Sequence, residues 1–581
     1  MHLFYKITHI IPMFKKLLFV CLSVFLFQGA QSQAPAAESP TVVRSTPFDE
    51  PERGANRLLL MKNGNTLFFS FTPKKGIDVT VFDQQHQSKP VMKNRITSWK
   101  NKQMSKAQLE GLYEINGQAV VFLQQYVKKK PCLFRFIFDA ANGKLIEEKL
   151  IADLPRIGMG QGYAIAFGGM KMPEFDLRKD PNSEYYAVAM LNSKAHESGE
   201  RIKVIHFNPQ HQVINESFFD TPKGDYKYIN LADMYVQGDK FVFLSTFAYN
   251  TRSSGGKDSR FVIGSLAKGD NQFKSVLLDY TEDFKLRDVA LKYSNLNNSV
   301  YLLTTITAKT SPEEPIMSRS KTDKFSLLMN EINPENLTVK QHYFIDHPML
   351  DKYAQKHLKY KKKYQGVIQD FNLNADGTIN LLLEEMDIIA HTYTNTNTNG
   401  RGGITMGTSH TTYTTRLGEM GIVQLAANGK EINSYAIAKS QEASVILDIF
   451  DLNRRNQSSW NFRGKRSKTN LSGFYSYDFF NTNNKDYIIY NDYPENKESN
   501  TENYRRKKNV KTVSKTNTIC AIVDGQQITK TYLFGDPGDK TESRFSQMEM
   551  ITKNADGKSF STMMIERKGR HKKAYIVWVS L

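Results

Sequence analysis

The sequence has 581 residues, which is too long for one ordinary compact core and predicts either several domains or one large repeat architecture. It contains 36 Phe and 28 Tyr against 35 Gly and 19 Pro, a composition that excludes a disordered chain. The formal net charge of +19 describes a basic protein and directs attention to acidic partners.

Residues 1–32 have the pattern of a secretory signal peptide. Two lysines precede the apolar run LLFVCLSVFLF, which is followed by the small-residue segment GAQSQA, so we expect the mature chain to begin near Gln33. A membrane anchor is the alternative, but the run is shorter than the ~20 residues that a spanning helix requires. We therefore expect export to the periplasm, the outer membrane or the extracellular space, and no transmembrane segment in the mature chain.

Two cysteines remain after the signal peptide, Cys132 in PCLFRFIF and Cys520 in TICAIV. Export permits a disulfide between them. Both stand in apolar, strand-like runs far apart in the sequence, and this context favours free, buried thiols. They predict no metal site.

A hairpin pattern recurs along residues 53–581. Two clear copies are DFNLNADGTINLLLEE, at 370–385, and QMEMITKNADGKSFSTMMIE, at 547–566. Each copy places a turn rich in Asn, Asp and Gly between two β-prone runs. Eight hairpins of this kind can be identified, and seven further hairpins alternate with them before the final strand, AYIVWVSL.

Two hairpins per unit give four antiparallel strands, so the sequence predicts an all-β protein with the fold of a β-propeller. Eight blades are the predicted number and seven the nearest alternative, while tandem β-sandwich domains are the alternative fold. The last unit lacks a strand. Residues 41–48, within an N-terminal linker at 33–52, are therefore expected to supply it and close the ring.

The repeated turn at 370–385 also has some likeness to a calcium-binding loop. Asn372, Asn374 and Asp376 would occupy positions one, three and five, and Gly377 would occupy position six. Position twelve, however, is Leu383, where the loop requires an acidic residue. The spacing favours a plain hairpin turn over a calcium site, and we predict no metal and no cofactor elsewhere.

Long insertions fall between the predicted hairpins, which places them on one face of a propeller, where repeat proteins commonly bind their partners. They span 347–366, 386–418, 440–471 and 491–515. Clustered cations with interleaved aromatics can bind a polyanion, although solvated loops would have the same composition. The candidate contacts are Lys356, Lys359, Tyr360, Lys361, Lys362, Lys363, Arg505, Arg506, Lys507 and Lys508.

An aspartate precedes the inner strand of four units, in LADMY, LRDVAL, IQDFNL and SYDFF. In a propeller these side chains would converge at the channel mouth, where carboxylates can hold a cation or act as general acid and base. The alternative is that each one caps the backbone entering its strand. The four are Asp233, Asp288, Asp370 and Asp478.

These features favour an exported envelope protein that works by binding an acidic polysaccharide or an acidic envelope protein. Export disfavours nucleic acid as a partner, and peripheral association with a membrane is compatible with the basic loops. The first alternative is a polysaccharide hydrolase or lyase that uses two of the four aspartates. The second alternative is a structural subunit of an outer-membrane assembly.

Overall fold

The computed structural model describes most of the chain after residue 38. The described residues are 39–51, 55–72, 76–158, 172–222, 226, 228–250, 260–278, 284–308, 326–395, 408–447, 449–457, 472–498, 507–525, 527–538 and 541–581. The predicted signal peptide at 1–32, together with Arg505 and Arg506, lies outside them. Residues 41–581 form one unit, and all that follows concerns that unit.

The described residues form eight antiparallel sheets built on four strand positions each, and in seven of them the four main strands follow one another in sequence order. Blade 1 contains β2 (Ala55–Leu60), β3 (Thr66–Thr72), β4 (Gly76–Phe82) and β5 (Met92–Asn94). Blade 2 contains β6 (Gln108–Ile115), β7 (Gln118–Val127), β8 (Lys130–Phe138) and β9 (Leu145–Asp153). Blade 3 contains β10 (Glu174–Lys179), β11 (Tyr186–Leu191), β12 (Ile202–Phe207) and β13 (Val213–Phe219). Blade 4 contains β14 (Tyr228–Gln237), β15 (Phe241–Tyr249), β16 (Arg260–Ala267) and β17 (Lys274–Leu277).

The second half of the chain continues the same order. Blade 5 contains β18 (Phe284–Ser294), β19 (Ser299–Ala308), β20 (Ser326–Ile332) and β21 (Val339–Ile345). Blade 6 contains β22 (Val367–Leu373), β23 (Ile379–Asn395), β24 (Thr408–Leu425) and β25 (Glu431–Ile437), with the short β26 (Gln441–Ala443) paired to β24. Blade 7 contains β27 (Tyr477–Thr482), β28 (Lys485–Asp492), β29 (Asn517–Asp524) and β30 (Gln527–Tyr532).

Blade 8 combines both ends of the described chain. Its inner edge is divided between β31 (Glu542–Ser546) and β32 (Thr552–Lys553), which are followed by β33 (Ser559–Lys568) and β34 (His571–Ser580). Its outermost strand is β1 (Thr41–Arg44), which pairs antiparallel with β34. Blade 1 contacts blade 8 directly, because the Trp578 indole donates a hydrogen bond to Thr66 Oγ1 at 2.8 Å.

The prediction of an all-β propeller with eight four-stranded antiparallel blades is therefore confirmed. Neither the seven-blade count nor the tandem-sandwich alternative fits this strand order. The described residues include two α-helices between blades, α1 (Pro348–Leu358) and α2 (Asp451–Asn456). Short 3-10 helices occur at Asn101–Lys106, Ser198–Glu200, Ser472–Phe474, Pro494–Asn496, Val513–Lys515 and Met548–Met550.

The two NADG sequences form the same kind of hairpin turn in blades 6 and 8. Gly377 and Gly557 have φ values of +83° and +67°, a region that favours glycine because it has no Cβ. The Asp376 carboxylate accepts hydrogen bonds from the Thr378 backbone N–H at 2.9 Å and from its hydroxyl at 2.6 Å. The turn is thus closed by its own side chains, which accounts for the repeated sequence without a shared ligand.

Apolar side chains fill the space between neighbouring blades. Phe69 of blade 1 meets Phe138 of blade 2 edge-to-face, with ring centroids 5.4 Å apart. Phe480 of blade 7 stacks on Phe560 of blade 8 at 4.7 Å. Cys132 and Cys520 are free and buried, as the sequence predicts. Among the described residues, no helix is long and apolar enough to cross a membrane.

The strand order places the turns within hairpins on one face, here called the turn face, and the connections between hairpins on the opposite face, the insertion face. In blade 6, β23 and β24 extend well beyond the sheet as a paired hairpin, from Ile379 opposite Leu425 out to Asn395 opposite Thr408. This projection lies on the insertion face. Its base is the position where the candidate site is found.

Candidate functional site

The four predicted aspartates lie within the inner strands of blades 4 to 7, and Asp233 and Asp370 directly follow a register shift in their strands. Asp233, Asp370 and Asp478 are 2%, 0% and 2% exposed, and Asp288 is partly exposed. Each of the three buried carboxylates accepts a hydrogen bond from the backbone N–H of the residue that follows it. Each of these aspartates therefore orders the backbone at its own position in the strand, which is the kind of local structural role that the sequence left open.

The same carboxylates also connect neighbouring blades. Asp233 accepts from Arg178 of blade 3 at 3.1 Å and from the Leu291 backbone N–H of blade 5 at 2.8 Å. Burial raises the pKa of Asp233, and the Arg178 guanidinium opposes that rise. Asp370 is paired with Lys292 of blade 5 at 2.8 Å. These are inter-blade bonds between inner strands.

Helix α2, in the insertion at 440–471, supplies further partners to this central region. Asn456 Nδ2 donates to Asp370 Oδ2 at 2.8 Å in blade 6. Arg455 donates to the main-chain carbonyls of Tyr477 in blade 7 and Met548 in blade 8, at 2.7 and 3.1 Å. The main-chain carbonyl of Gln457, which follows Asn456, accepts a hydrogen bond from the Tyr113 hydroxyl of blade 2 at 2.8 Å. Residues 451–457 therefore bridge the inner strands of four blades and occupy the ring centre.

Asp478 completes this arrangement through Lys553 of blade 8, at 2.6 Å, and Arg455, at 3.8 Å. The aspartates are thus distributed over separate bonds with protein groups. In the part of the chain that the structure describes, no group of three His, Cys, Asp or Glu residues is placed to hold a metal ion. The position of α2 could not be read from the sequence, where NRRN looked like one more basic stretch of a loop.

The predicted basic residues between blades 5 and 6 lie on one continuous feature, residues 348–366, here called the basic segment. It comprises α1 and the loop that follows it. Leu350, Ala354 and Leu358 pack into the core between blades 5 and 6. The opposite side carries six exposed lysines: Lys352, Lys356, Lys359, Lys361, Lys362 and Lys363.

A carboxylate of blade 6 holds the start of this segment in place. The backbone N–H groups of Met349 and Leu350, at the start of α1, donate to the Glu431 carboxylate at 2.6 and 2.9 Å. Within the segment, the Tyr364 backbone N–H donates to Asp351 Oδ1 at 2.9 Å, which ties the loop back to α1. The backbone that carries the lysines is thus attached to blade 6 at its start and closed on itself by an internal bond, while the lysine side chains face solvent.

A buried acidic cluster lies beneath the basic segment, at the base of the blade 6 hairpin. Glu385 stands at a register shift in β23, and Glu419 is its neighbour on β24. The Tyr360 hydroxyl donates to Glu419 Oε2 at 2.7 Å, and the Tyr364 hydroxyl donates to the Glu419 main-chain carbonyl at 2.7 Å. Lys507, from the insertion at 491–515, forms an ion pair with Glu419.

This cluster retains a proton at neutral pH. The pKa of Glu385 is raised to about 8. Burial is the largest cause, and a hydrogen bond and charge repulsion from the adjacent Glu419 carboxylate also contribute to this value. Burial also raises the pKa of the Tyr360 hydroxyl, and the charges of the Glu419 and Glu385 carboxylates add to this rise. Glu385 is partly exposed. A carboxylic acid that is neutral at pH 7 and reachable from solvent can donate a proton or a hydrogen bond.

The predicted contacts therefore divide into two groups. Lys356, Lys359 and Lys361 to Lys363 are exposed on the basic segment. Lys508 is exposed and paired with Glu495 at 3.0 Å. Tyr360 and Lys507 instead face inward and bind Glu419. Sequence reasoning missed Glu385 and Glu419, and the only local signal was a glutamate in each of two adjacent strand-like runs.

No protein-family model matches the chain, and no curated protein matches it. Solved structures with a similar arrangement include the polysaccharide lyase Uly1, with a TM-score of 0.34 and 10% identity over 81% of this chain and 90% of that one. A PL25 ulvan lyase has a TM-score of 0.34 and 12% identity over 68% and 87%. The GH43 endo-arabinanase from Bacillus licheniformis has a TM-score of 0.22 and 12% identity over 49% and 96%. At these scores the likeness carries no information about the chemistry of this chain.

Proposed function

We propose that this chain is an exported cell-envelope protein that binds an acidic glycan through the basic segment at 348–366. The observation that supports the proposal is the array of six exposed lysines on a backbone that Glu431 holds to blade 6. Ammonium groups held close together repel one another. A ligand with repeated negative charges removes that repulsion.

The geometry favours a polymer over a small anion. The six lysines are spread along 348–366, from the first turns of α1 to the following loop, so a single phosphate or carboxylate would meet few of them. A chain with an acid group on each repeat could meet several at once. Exposed charges act over a Debye length of ~8 Å at physiological ionic strength, so capture should weaken steeply as salt is added.

The test compares two triple variants with the same change in net charge. The first, Lys361→Glu, Lys362→Glu and Lys363→Glu, reverses the centre of the basic segment. The matched control reverses Lys144, Lys430 and Lys558, which are exposed lysines in turns on the turn face. Immobilised polygalacturonate is the probe, and binding is measured across a salt series.

We expect the first variant to lose most of its capture and to show a shallower dependence on salt, while the control stays near wild type. Equal losses in both variants would mean that net charge alone attracts the polymer. Unchanged capture in the first variant would contradict the assignment of the basic segment. If the protein takes a discrete protein from solubilised envelope and no glycan, the assembly-subunit alternative replaces this one.

Export forms part of the proposal and is tested separately. Fusing residues 1–40 to a reporter that is active only outside the cytoplasm should yield activity, because the apolar run and the small-residue segment match a signal peptide. The control replaces two leucines of the run with arginine. A reporter that stays in the cytoplasm with the natural segment would contradict export.

One observation favours catalysis as a second function. The neutral, partly exposed Glu385 lies beneath the lysines that would hold the glycan, where a general acid could protonate a leaving oxygen. Glu385→Gln should then abolish cleavage of a captured polymer while leaving capture intact. The measurement is the release of reducing ends, and no release by the wild-type protein on any polymer it captures would refute a catalytic role.

A further inference from the structure

Arg201 is a buried cation at the insertion-face end of blade 3. It directly precedes β12 and ends the connection from β11, where its main-chain carbonyl accepts a hydrogen bond from the Asn192 backbone N–H at 2.7 Å. Arg201 is 8% exposed. Because a guanidinium stays charged in proteins, burying one without a counter-ion destabilises the fold.

The other buried cationic side chains in the described part of the chain each have a carboxylate partner. These pairs are Arg57–Glu549 at 3.5 Å, Arg135–Glu147 at 2.5 Å, Arg455–Asp451 at 3.2 Å, and Lys439–Glu384. Within the described residues, Arg201 has no such pair. Burial lowers the pKa of Arg201, and among the described groups only the Tyr228 and Tyr249 hydroxyls oppose that effect. Arg201 is therefore a buried charge that the protein leaves unbalanced.

Neighbouring side chains hold the guanidinium of Arg201 in place but leave one edge unused. Nε donates to the Ala195 main-chain carbonyl at 3.3 Å, and the guanidinium carbon lies over the Tyr228 ring, 5.3 Å from its centroid. Tyr228 stacks on Tyr249 of the paired strand, with centroids 5.6 Å apart, and the Asn230 amide donates to the Tyr249 hydroxyl. Within the described chain, the terminal nitrogens Nη1 and Nη2 of Arg201 have no hydrogen-bond partner.

The unused edge of the guanidinium meets the protein surface. Neither Nη1 nor Nη2 belongs to the fully enclosed polar atoms that lack a partner in the described chain, so both keep contact with solvent. The opening is small, because the residue as a whole is 8% exposed. A small charged group can reach the two nitrogens there, while the larger molecule that carries it stays outside.

We propose that Arg201 is a subsite for one singly charged oxyanion of the acidic glycan, either a carboxylate or a sulfate ester. The inference rests on the proposed function, because the glycan would supply this group. The outer edge of a guanidinium presents two parallel N–H donors, which match two oxygens of one such group. A single charge is favoured over a doubly charged phosphate, because no second cation faces Arg201 among the described residues.

Arg201 and the basic segment would act on one glycan chain in different ways. Both lie on the insertion face, Arg201 in blade 3 and the basic segment between blades 5 and 6. The lysines of the basic segment face solvent and would attract any polyanion. Arg201 accepts only an acid group that fits its opening, so it would select the glycan by the position of that group on the sugar.

The experiment uses the full mature chain and saturation-transfer NMR with galacturonate, galactose 6-sulfate and neutral galactose as probes. Arg201→Met removes the guanidinium and keeps an apolar side chain of similar reach, so Tm should be no lower than in wild type. Arg201→Lys keeps the charge but not the two parallel donors. The matched control is Arg570→Met, at an exposed position in the connection between β33 and β34 on the same face.

We expect at least one charged probe to bind more tightly than galactose. Its affinity should fall about tenfold or more in Arg201→Met, as the loss of hydrogen bonds to a charged group predicts. Arg201→Lys should recover part of that affinity, and Arg570→Met should match wild type. The charged probe that binds more tightly identifies whether a carboxylate or a sulfate ester occupies the subsite.

Three outcomes would overturn the inference. Equal binding of galactose and the charged sugars would mean that Arg201 does not recognise a charge. Unchanged affinity in Arg201→Met would place any bound acid group elsewhere on the protein. Absence of binding by both charged probes would mean that water alone solvates the guanidinium.

The triple glutamate variant of the basic segment separates this inference from the proposed function. It should bind the charged monosaccharide as wild type does, since the subsite lies in blade 3. If it also keeps its capture of polygalacturonate, the assignment of the basic segment fails while the subsite stands. If it loses capture and Arg201→Met keeps its affinity for the monosaccharide, the subsite fails while the proposed function stands.

Discussion

The acidic cluster under the basic segment predicts that Glu385 makes a separable contribution to the pH dependence of the protein's stability. Glu385 keeps its proton up to a pKa of about 8 in the folded protein, whereas the ordinary value is 4.5. Between these two pH values Glu385 binds more protons in the folded state than in the unfolded chain. The contribution of Glu385 to the free energy of unfolding should therefore fall as the pH rises through this window.

The magnitude follows from the two pKa values. Each pH unit between 4.5 and about 8 should cost up to ~1.4 kcal/mol, and the whole window at most ~5 kcal/mol. Glu385→Gln keeps the size of the side chain and a hydrogen-bond donor for Glu419 but cannot ionise. The variant should match wild type near pH 4.5 and should be more stable than wild type at pH 8 and above.

The assay is the unfolding midpoint of both proteins measured across this pH range. Glu197→Gln, at an exposed position, provides a control for the loss of one carboxylate. The difference between Glu385→Gln and wild type should grow steadily with pH, while the control should follow wild type. If Glu385→Gln keeps the wild-type pH dependence, the proton is not held at Glu385 and the reasoning about the cluster fails.

Three further outcomes follow from buried groups. Lys439 and Glu384 form a fully buried ion pair, so Lys439→Met should destabilise the protein by ~3–5 kcal/mol, and adding Glu384→Leu should recover much of the loss in urea unfolding. Arg455→Met leaves two main-chain carbonyls at the ring centre without their donor and should cost ~2–5 kcal/mol, whereas glycan capture by the folded variant should be unchanged. Burial raises the pKa of the Cys520 thiol to about 12, so a thiol reagent should label neither Cys520 nor Cys132 until denaturant is added, and fast labelling of the native protein would contradict their burial.

The sequence by itself determined the repeating architecture. Alternating apolar residues, Asn/Asp-Gly turns and β-branched runs act over ten to twenty residues, and each hairpin carries its own turn chemistry. The turn at 374–378 shows this, since its bonds join residues at most four apart. Such local information is sufficient to count eight blades and to predict two faces.

Tertiary structure alone decided which polar residues are available to a ligand. Tyr360 and Lys507 belong to basic stretches in the sequence, but both turn inward because Glu419 lies beneath them. Their partner is 59 residues away from Tyr360 and 88 residues away from Lys507. Patterns of neighbouring residues in the sequence carry no information about contacts between residues so far apart.

The same reason explains the ring centre. The bond that places α2 against blade 2 joins Tyr113 to Gln457, which are 344 residues apart. Periodicity in the sequence specified the strands and their turns. The candidate sites were selected by burial and by charge pairing between blades, because only the assembled ring brings the residues of different blades into contact.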